Sequence, residues 1–154
     1  MVFSAFHTLH GIEMRKHRLN LSVQKAHLAI CRLSPEAQIP DWASNKADFT
    51  SITRTNEELS IICPESYTPP TAKQESGYRL IKVAGPLDFP LTGILASLAS
   101  PLAKAGISII AISTFDTDYL MVKEDKLEEA IKALRLAGHS LFGVSENGGK
   151  RDAD

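Results

Sequence analysis

The run Ile107-Ser108-Ile109-Ile110-Ala111-Ile112-Ser113-Thr114-Phe115-Asp116-Thr117-Asp118-Tyr119-Leu120-Met121-Val122 decides the fold. Its first six residues are too continuously apolar for a half-solvated strand and read as a strand covered on both sides. Asp116 and Thr117 mark a turn, and residues 119–122 return as the paired strand. The same text has an echo sixty positions earlier, where Ile52-Thr53-Arg54-Thr55-Asn56-Glu57-Glu58-Leu59-Ser60-Ile61-Ile62 matches residues 112–122 by residue class and without a gap. A fixed offset of this kind implies one supersecondary unit written twice.

Working outward, residues 78–84 read as a strand through Leu80, Ile81 and Val83, ended by Gly85-Pro86. Leu91, Ile94, Leu95, Leu98, Leu102 and Ala105 recur at helical spacing, with Pro90 suited to the first turn and Gly106 as the stop. Pro101 lies inside that pattern and predicts a kink or break over residues 97–100, because proline removes a backbone donor. Leu127, Ala130, Ile131, Leu134 and Ala137 form the face of a second helix, with Asp125 and Glu128 as its cap and Gly138 as its end. A short strand through Leu141, Phe142 and Val144 follows. The order is strand, helix, strand, strand, helix, strand.

The first half repeats this order with parts worn away. Residues 28–33 form a strand before Ser34-Pro35, matching the later strand at an offset of 51, so nine fewer residues separate it from its hairpin. Residues 36–49, with Pro40 and no sustained apolar period, hold a short helix or a loop. Pro69-Pro70 bars a regular second helix from residues 65–77. The predicted organisation is an extension over 1–26 that is poorly ordered, a degenerate unit over 27–77, a complete unit over 78–145 and a disordered tail over 146–154.

Composition excludes several function classes. The chain has 154 residues, 44% apolar and 23% charged, which suits one compact domain or two small subdomains on a shared core. Its net charge of −1 divides into +3 for residues 1–26 (Arg15, Lys16, Arg18 and Lys25 against Glu13) and −4 for the rest. That argues against a nucleic-acid groove in the folded part. No stretch approaches the roughly 20 apolar residues of a membrane span. Cys31 and Cys63 lie in apolar runs without histidines at metal-ligand spacing and read as buried thiols of a reducing, cytoplasmic compartment.

Three segments then carry a resemblance: Gly85-Pro86-Leu87-Asp88-Phe89-Pro90-Leu91-Thr92-Gly93-Ile94-Leu95, Ala105-Gly106-Ile107-Ser108-Ile109, and residues 112–120 quoted above. In this order and spacing they resemble the ACT-domain family, and within it the small tandem proteins similar to aspartate kinase regulatory domains and to the arginine sensor of the TOR pathway. The resemblance covers residues 28–141, strongly after Tyr78 and weakly before it. It implies an α+β fold of two tandem ACT-like (ferredoxin-like βαββαβ) units, the first degenerate, with antiparallel sheets and helices on one face. It also implies a regulatory amino-acid-binding module, with the ligand where two units meet, beside the loop that opens the first helix.

The residues supply a physical reason. A helix N-terminus presents unpaired N–H groups and partial positive charge, so it accepts a carboxylate without a basic side chain. The candidate ligand-binding residues are Asp88, Phe89, Leu91, Gly93 and Ile94 on that side, and Ser113, Thr114, Phe115, Asp116 and Asp118 on the hairpin. Gly93 lets a ligand or a strand approach closely, or packs helix on sheet. Asp88 caps the helix, binds a ligand ammonium group, or does both. Ser113, Thr114 and Phe115 contact ligand or close the hairpin. Asp116 and Asp118, echoed by Glu57 and Glu58, either recognise a cationic side chain such as that of arginine or lysine, or support a turn and cover a sheet edge. Asp118 is the stronger candidate for the cation.

No catalytic, metal or cofactor constellation is legible. His7, His10, His17, His27 and His139 show no nucleophile or metal spacing. The expectation is a non-catalytic amino-acid sensor, a homodimer that acts on a regulated protein partner. The alternative is an assembly module that oligomerises through its sheets around a vestigial pocket.

Overall fold

The computed structural model describes residues 17–88 and 91–143. The readings at Phe89, Pro90, Val144 and residues 146–154 lie outside the described residues, as do the first sixteen residues of the extension. The elements are β1 (Asn20–Leu33), α1 (Asp41–Ser44), β2 (Ser51–Arg54), β3 (Leu59–Pro64), β4 (Gln74–Val83), α2 (Ile94–Lys104), β5 (Ile110–Ser113), β6 (Asp118–Lys123), α3 (Leu127–Leu136) and β7 (Ser140–Phe142). A seven-stranded sheet runs β2-β3-β1-β4-β6-β5, and β7 joins β1 in parallel at Asn20, Leu21 and Ser22. This is the α+β arrangement that the sequence predicts, with a full second unit and a reduced first one.

The two hairpins superpose in register, but at an offset of 59 rather than sixty. Ser51 pairs with Ile62 and Arg54 with Leu59, as Ile110 pairs with Met121 and Ser113 with Asp118. The turns repeat too: the Thr55 N–H bonds the Glu58 carbonyl at 2.9 Å, and the Thr114 N–H bonds the Thr117 carbonyl at 2.9 Å. The first strands likewise match at 50, not 51, since Leu28 faces Pro64 as Tyr78 faces Lys123. The one-residue correction matters because side chains alternate between faces along a strand. Asp118 is the counterpart of Leu59, and Thr117 of Glu58.

Two strands differ from their sequence readings. β1 begins at Asn20, so the extension does not reach residue 26: Leu21 and Val23 are buried and alternate with Ser22 and Gln24 beside the C-terminal half of β4. The basic residues Arg18 and Lys25 obscured that alternation. β5 is an edge strand with Ala111 and Ser113 exposed, not one covered on both sides. β7, the short strand expected through Leu141 and Phe142, pairs with the first half of β1, which lies between it and β4.

The helices correct three further expectations. α2 starts at Ile94 behind Gly93, which takes φ 80° at the N-cap; Asp88 is not the cap, and no side chain caps this helix. α2 also runs through Pro101 without a break. Proline removes the donor that would meet the Ser97 carbonyl. That oxygen instead accepts from His139 Nε2 at 3.0 Å, while His139 Nδ1 accepts the Leu19 N–H at 3.1 Å. α3 follows a single 3₁₀ turn over Glu124–Lys126, without the side-chain cap expected from Asp125 and Glu128. Gly138, at φ 100°, does end it, and the next N–H, from His139, reaches back to the Leu134 carbonyl at 3.1 Å.

Burial is unequal between the units. Leu98, Leu102, Ile131 and Leu134 from α2 and α3 pack on Leu21, Ile81, Val83, Leu120 and Val122. On the same face of the first unit, Ala43 and Trp42 of α1, with Ala37 before them, cover Ala29, Cys31, Leu59, Ile61 and Cys63. The opposite face curls on itself around Leu28, Ile62, Leu80 and Met121. There Phe49, just before one edge strand, meets Tyr119 beside the other edge at 5.0 Å between ring centroids.

Candidate functional site

The loop after β4, the first turn of α2 and the β5–β6 turn enclose a cleft of about 330 Å³. Leu87, Asp88, Leu91, Gly93, Ile94 and Leu95 line one side and residues 113–118 the other. Thr117 ties the hairpin to the sheet, its buried hydroxyl donating to the Val83 carbonyl at 2.7 Å. The Leu87 N–H then binds the Asp116 carbonyl at 2.7 Å, which pins the loop to the turn. A Cβ at Gly85 would stand 3.1 Å from that same carbonyl and 3.1 Å from Thr117 Cβ, so a glycine permits this approach.

The cleft offers two kinds of charge. The first-turn N–H groups of α2 have no partners within the helix and bring its positive end to one wall. The Ser97 N–H is the first to find an intrahelical carbonyl, that of Gly93 at 2.9 Å. Asp88, Asp116 and Asp118 supply carboxylates, and among the described residues the lining contains no lysine or arginine. Asp118 is half-buried and accepts from Ser113 Oγ at 2.6 Å, whereas Asp88 and Asp116 are exposed. Phe115 is 80% exposed at the hairpin tip, and Leu91 and Leu95 are exposed at the opposite lip. From the N-terminal side, His17 Nε2 donates to the Thr92 carbonyl at 2.6 Å and its ring stands 3.8 Å from where a Gly93 Cβ would be.

Asp88, Leu91, Gly93, Ile94, Ser113, Thr114, Phe115, Asp116 and Asp118 therefore share one cleft, and Phe89 lies outside the described residues. Ile94 is buried and forms the floor. Leu87, Leu95 and Thr117 also line the cleft; Leu87 and Thr117 lie inside the segments 87–94 and 114–118 that the sequence assigns to the site, Leu95 falls just beyond the first, and the Thr-x-x-Thr spacing of the turn is the signal that marks Thr117. A larger cleft of about 690 Å³ lies elsewhere, among His27, Lys46, Asp48, Glu65 and Tyr67. The smaller one is the better candidate, because a helix start, a pinned turn and three carboxylates converge on it. Among the described residues no group of His, Cys, Asp or Glu is arranged to hold a metal ion, and no helix is long and apolar enough to cross a membrane.

Residues 73–135 match the ACT domain, and a separate model, of an N-terminal domain, matches residues 26–71. Over 59 residues the chain is 42% identical to the human cytosolic arginine sensor for mTORC1 subunit 1, covering 38% of this chain and 18% of that sensor. It spans only a small part of the curated relatives that it matches. The crystal structure of protein Atu0741 from Agrobacterium tumefaciens is 42% identical, with a TM-score of 0.77 over 81% of this chain and 92% of that one. The regulatory subunit of aspartate kinase from Thermus thermophilus shares the fold, with a TM-score of 0.53 and 11% identity over 76% of this chain and 96% of that one. With its second unit matched to the ACT domain from β4 through nearly all of α3, and a relative of the same architecture 42% identical over most of both chains, the chain belongs to the ACT-domain family.

Proposed function

We propose that this protein is a non-catalytic, cytoplasmic sensor that binds a free amino acid in the cleft between the start of α2 and the β5–β6 turn. The observation that carries the reading is the convergence of opposite charges on one small cavity: the positive end of α2 on one wall and Asp88, Asp116 and Asp118 around it. An α-carboxylate is stabilised by the helix start. A cationic side chain, as in arginine or lysine, meets the carboxylates, with Asp118 held in place by Ser113. The similarity to an arginine sensor and to a regulatory kinase subunit supports both the class of ligand and the regulatory role. Binding acts on a protein partner by favouring one of two states, through its differential affinity for them. The exposed edge of β5 suits a homodimer that would bring two such clefts together.

Titration calorimetry of the full chain against the twenty amino acids at millimolar concentration tests this. Heat is expected with arginine or lysine. Asp118→Asn should weaken that ligand about tenfold, the size of a charged hydrogen bond, and a neutral amino acid hardly at all. No heat with any of the twenty would sink the sensor reading and favour an assembly module built on the same sheets.

A further inference from the structure

The first unit has a counterpart of this loop-and-hairpin arrangement, and the register says which exposed side chain stands there. Arg54 pairs with Leu59 as Ser113 pairs with Asp118, so an arginine occupies the place of Ser113, a lining residue of the second-unit cleft. Pro35 and Ala37 follow Leu33, the end of β1, by two and four residues, as Gly85 and Leu87 follow Val83, the end of β4. Arg54 reaches across this gap: Nη2 donates to the Ala37 carbonyl at 2.8 Å and Nη1 donates to the Pro35 carbonyl. In the second unit the same loop and hairpin are bridged by the Leu87 N–H on the Asp116 carbonyl, and Ser113 is too short to span the space.

We propose that the first unit is a guanidinium site closed by the chain's own Arg54, and that removing this side chain opens it to a free alkylguanidinium compound. The acceptors are two backbone carbonyls with fixed spacing. They match a planar fork with paired N–H donors, and an ammonium group presents no such fork. Neighbouring charges leave the site to Arg54: Glu58 pairs with Arg32 at 3.4 Å, and Glu36 accepts from Ser34 at 2.8 Å. The inference draws on the equivalence of the two loop-and-hairpin positions, which the strand register supplies, and does not need the second to bind arginine.

The test is two-dimensional amide NMR of the full chain, comparing the native protein with Arg54→Ser, which installs the second unit's residue, and with Arg54→Ala. Each is titrated with methylguanidinium and, in parallel, with ethylammonium at millimolar concentration. Methylguanidinium should shift the amides of Ala37 and of residues 54–58 saturably in both variants and leave them in place in the native protein, and ethylammonium should move them in neither. A folded variant without saturable shifts there, or with equal response to the two cations, overturns the proposal. If Arg54→Ala does not fold, Arg54→Ser alone decides. Shifts confined to residues 113–118 in the native protein report on the second cleft, so failure there and failure here are separate results.

Discussion

The two units share a hairpin down to its turn hydrogen bonds, and differ in what fits between strand and hairpin. Seventeen residues separate β1 from β2, and twenty-six separate β4 from β5. The nine additional residues accommodate the eleven-residue α2, about 16 Å long, where the first unit has only the four-residue α1. A helix of that length brings an apolar stripe to the sheet and a positive end to the hairpin. The four residues of α1 bring Ala43 to the core, and a side chain of the hairpin itself bridges to the preceding loop. Loop length thus governs two things at once: how much core a unit buries, and whether its cleft stays open.

The largest expected effect breaks the comparison on its packing side. Leu98 of α2 is fully buried, so Leu98→Ala should cost about 2–5 kcal/mol from lost transfer energy and the cavity left behind. Leu33, half-buried at the end of β1 in the first unit, should lose only about 1 kcal/mol as Leu33→Ala. Urea unfolding of both variants measures the difference. Equal losses would mean that Leu33 contributes as much as a fully buried residue of α2, contrary to its half-burial.

How far the sequence revealed this asymmetry depends on how local each signal is. The second unit was legible because a helical stripe, a turn and a strand lie within short windows. The first half of β1 was not, because its partners are β4 and β7, sixty and more residues on, and Arg18 and Lys25 mask its apolar alternation. The register of the echo was misread by one because Asn56 and Glu58 resemble Asp116 and Asp118 in class at an offset of sixty, whereas the turn geometry aligns Thr55 with Thr114. Asp88 looked like a cap because an acid before an apolar stripe often is one. The left-handed Gly93 starts the helix later and leaves Asp88 on the rim. The cleft itself was nevertheless legible, since the start of the helix and the turn of the hairpin were both named as its walls.

A smaller effect tests the seam through which the second unit borrows a strand from the first. Gly143, just after β7, has φ 73°, and a Cβ there would lie 2.6 Å from the Val23 carbonyl of β1. Gly143→Ala combines the left-handed penalty of about 1–2 kcal/mol with that backbone clash. Gly77→Ala, at φ 77° with open space around it, carries the first penalty alone. Hydrogen exchange at Leu21, Ser22 and Val23 should accelerate in the Gly143 variant and remain unchanged in the Gly77 variant. Matching exchange in the two would show that β7 does not hold the start of β1.

The smallest effect lies in the first core, where Cys31 and Cys63 occupy the places held by Ile81 and Val122 in the second. Burial, and then the neighbouring Cys31, push the Cys63 thiol from 9.0 up to about 11, and burial also raises Cys31. A raised value means that folding favours the neutral thiol. The resulting stability is fully present below about pH 9 and is lost as the pH climbs towards 11, because the unfolded chain ionises first. The urea midpoint should therefore decline over that interval, and Cys63→Val, which writes the second unit's residue into the first, should flatten the decline. An unchanged slope in Cys63→Val would assign the alkaline loss to other groups. Prompt alkylation of the folded protein at pH 8 would show instead that the short α1 leaves these thiols open to solvent.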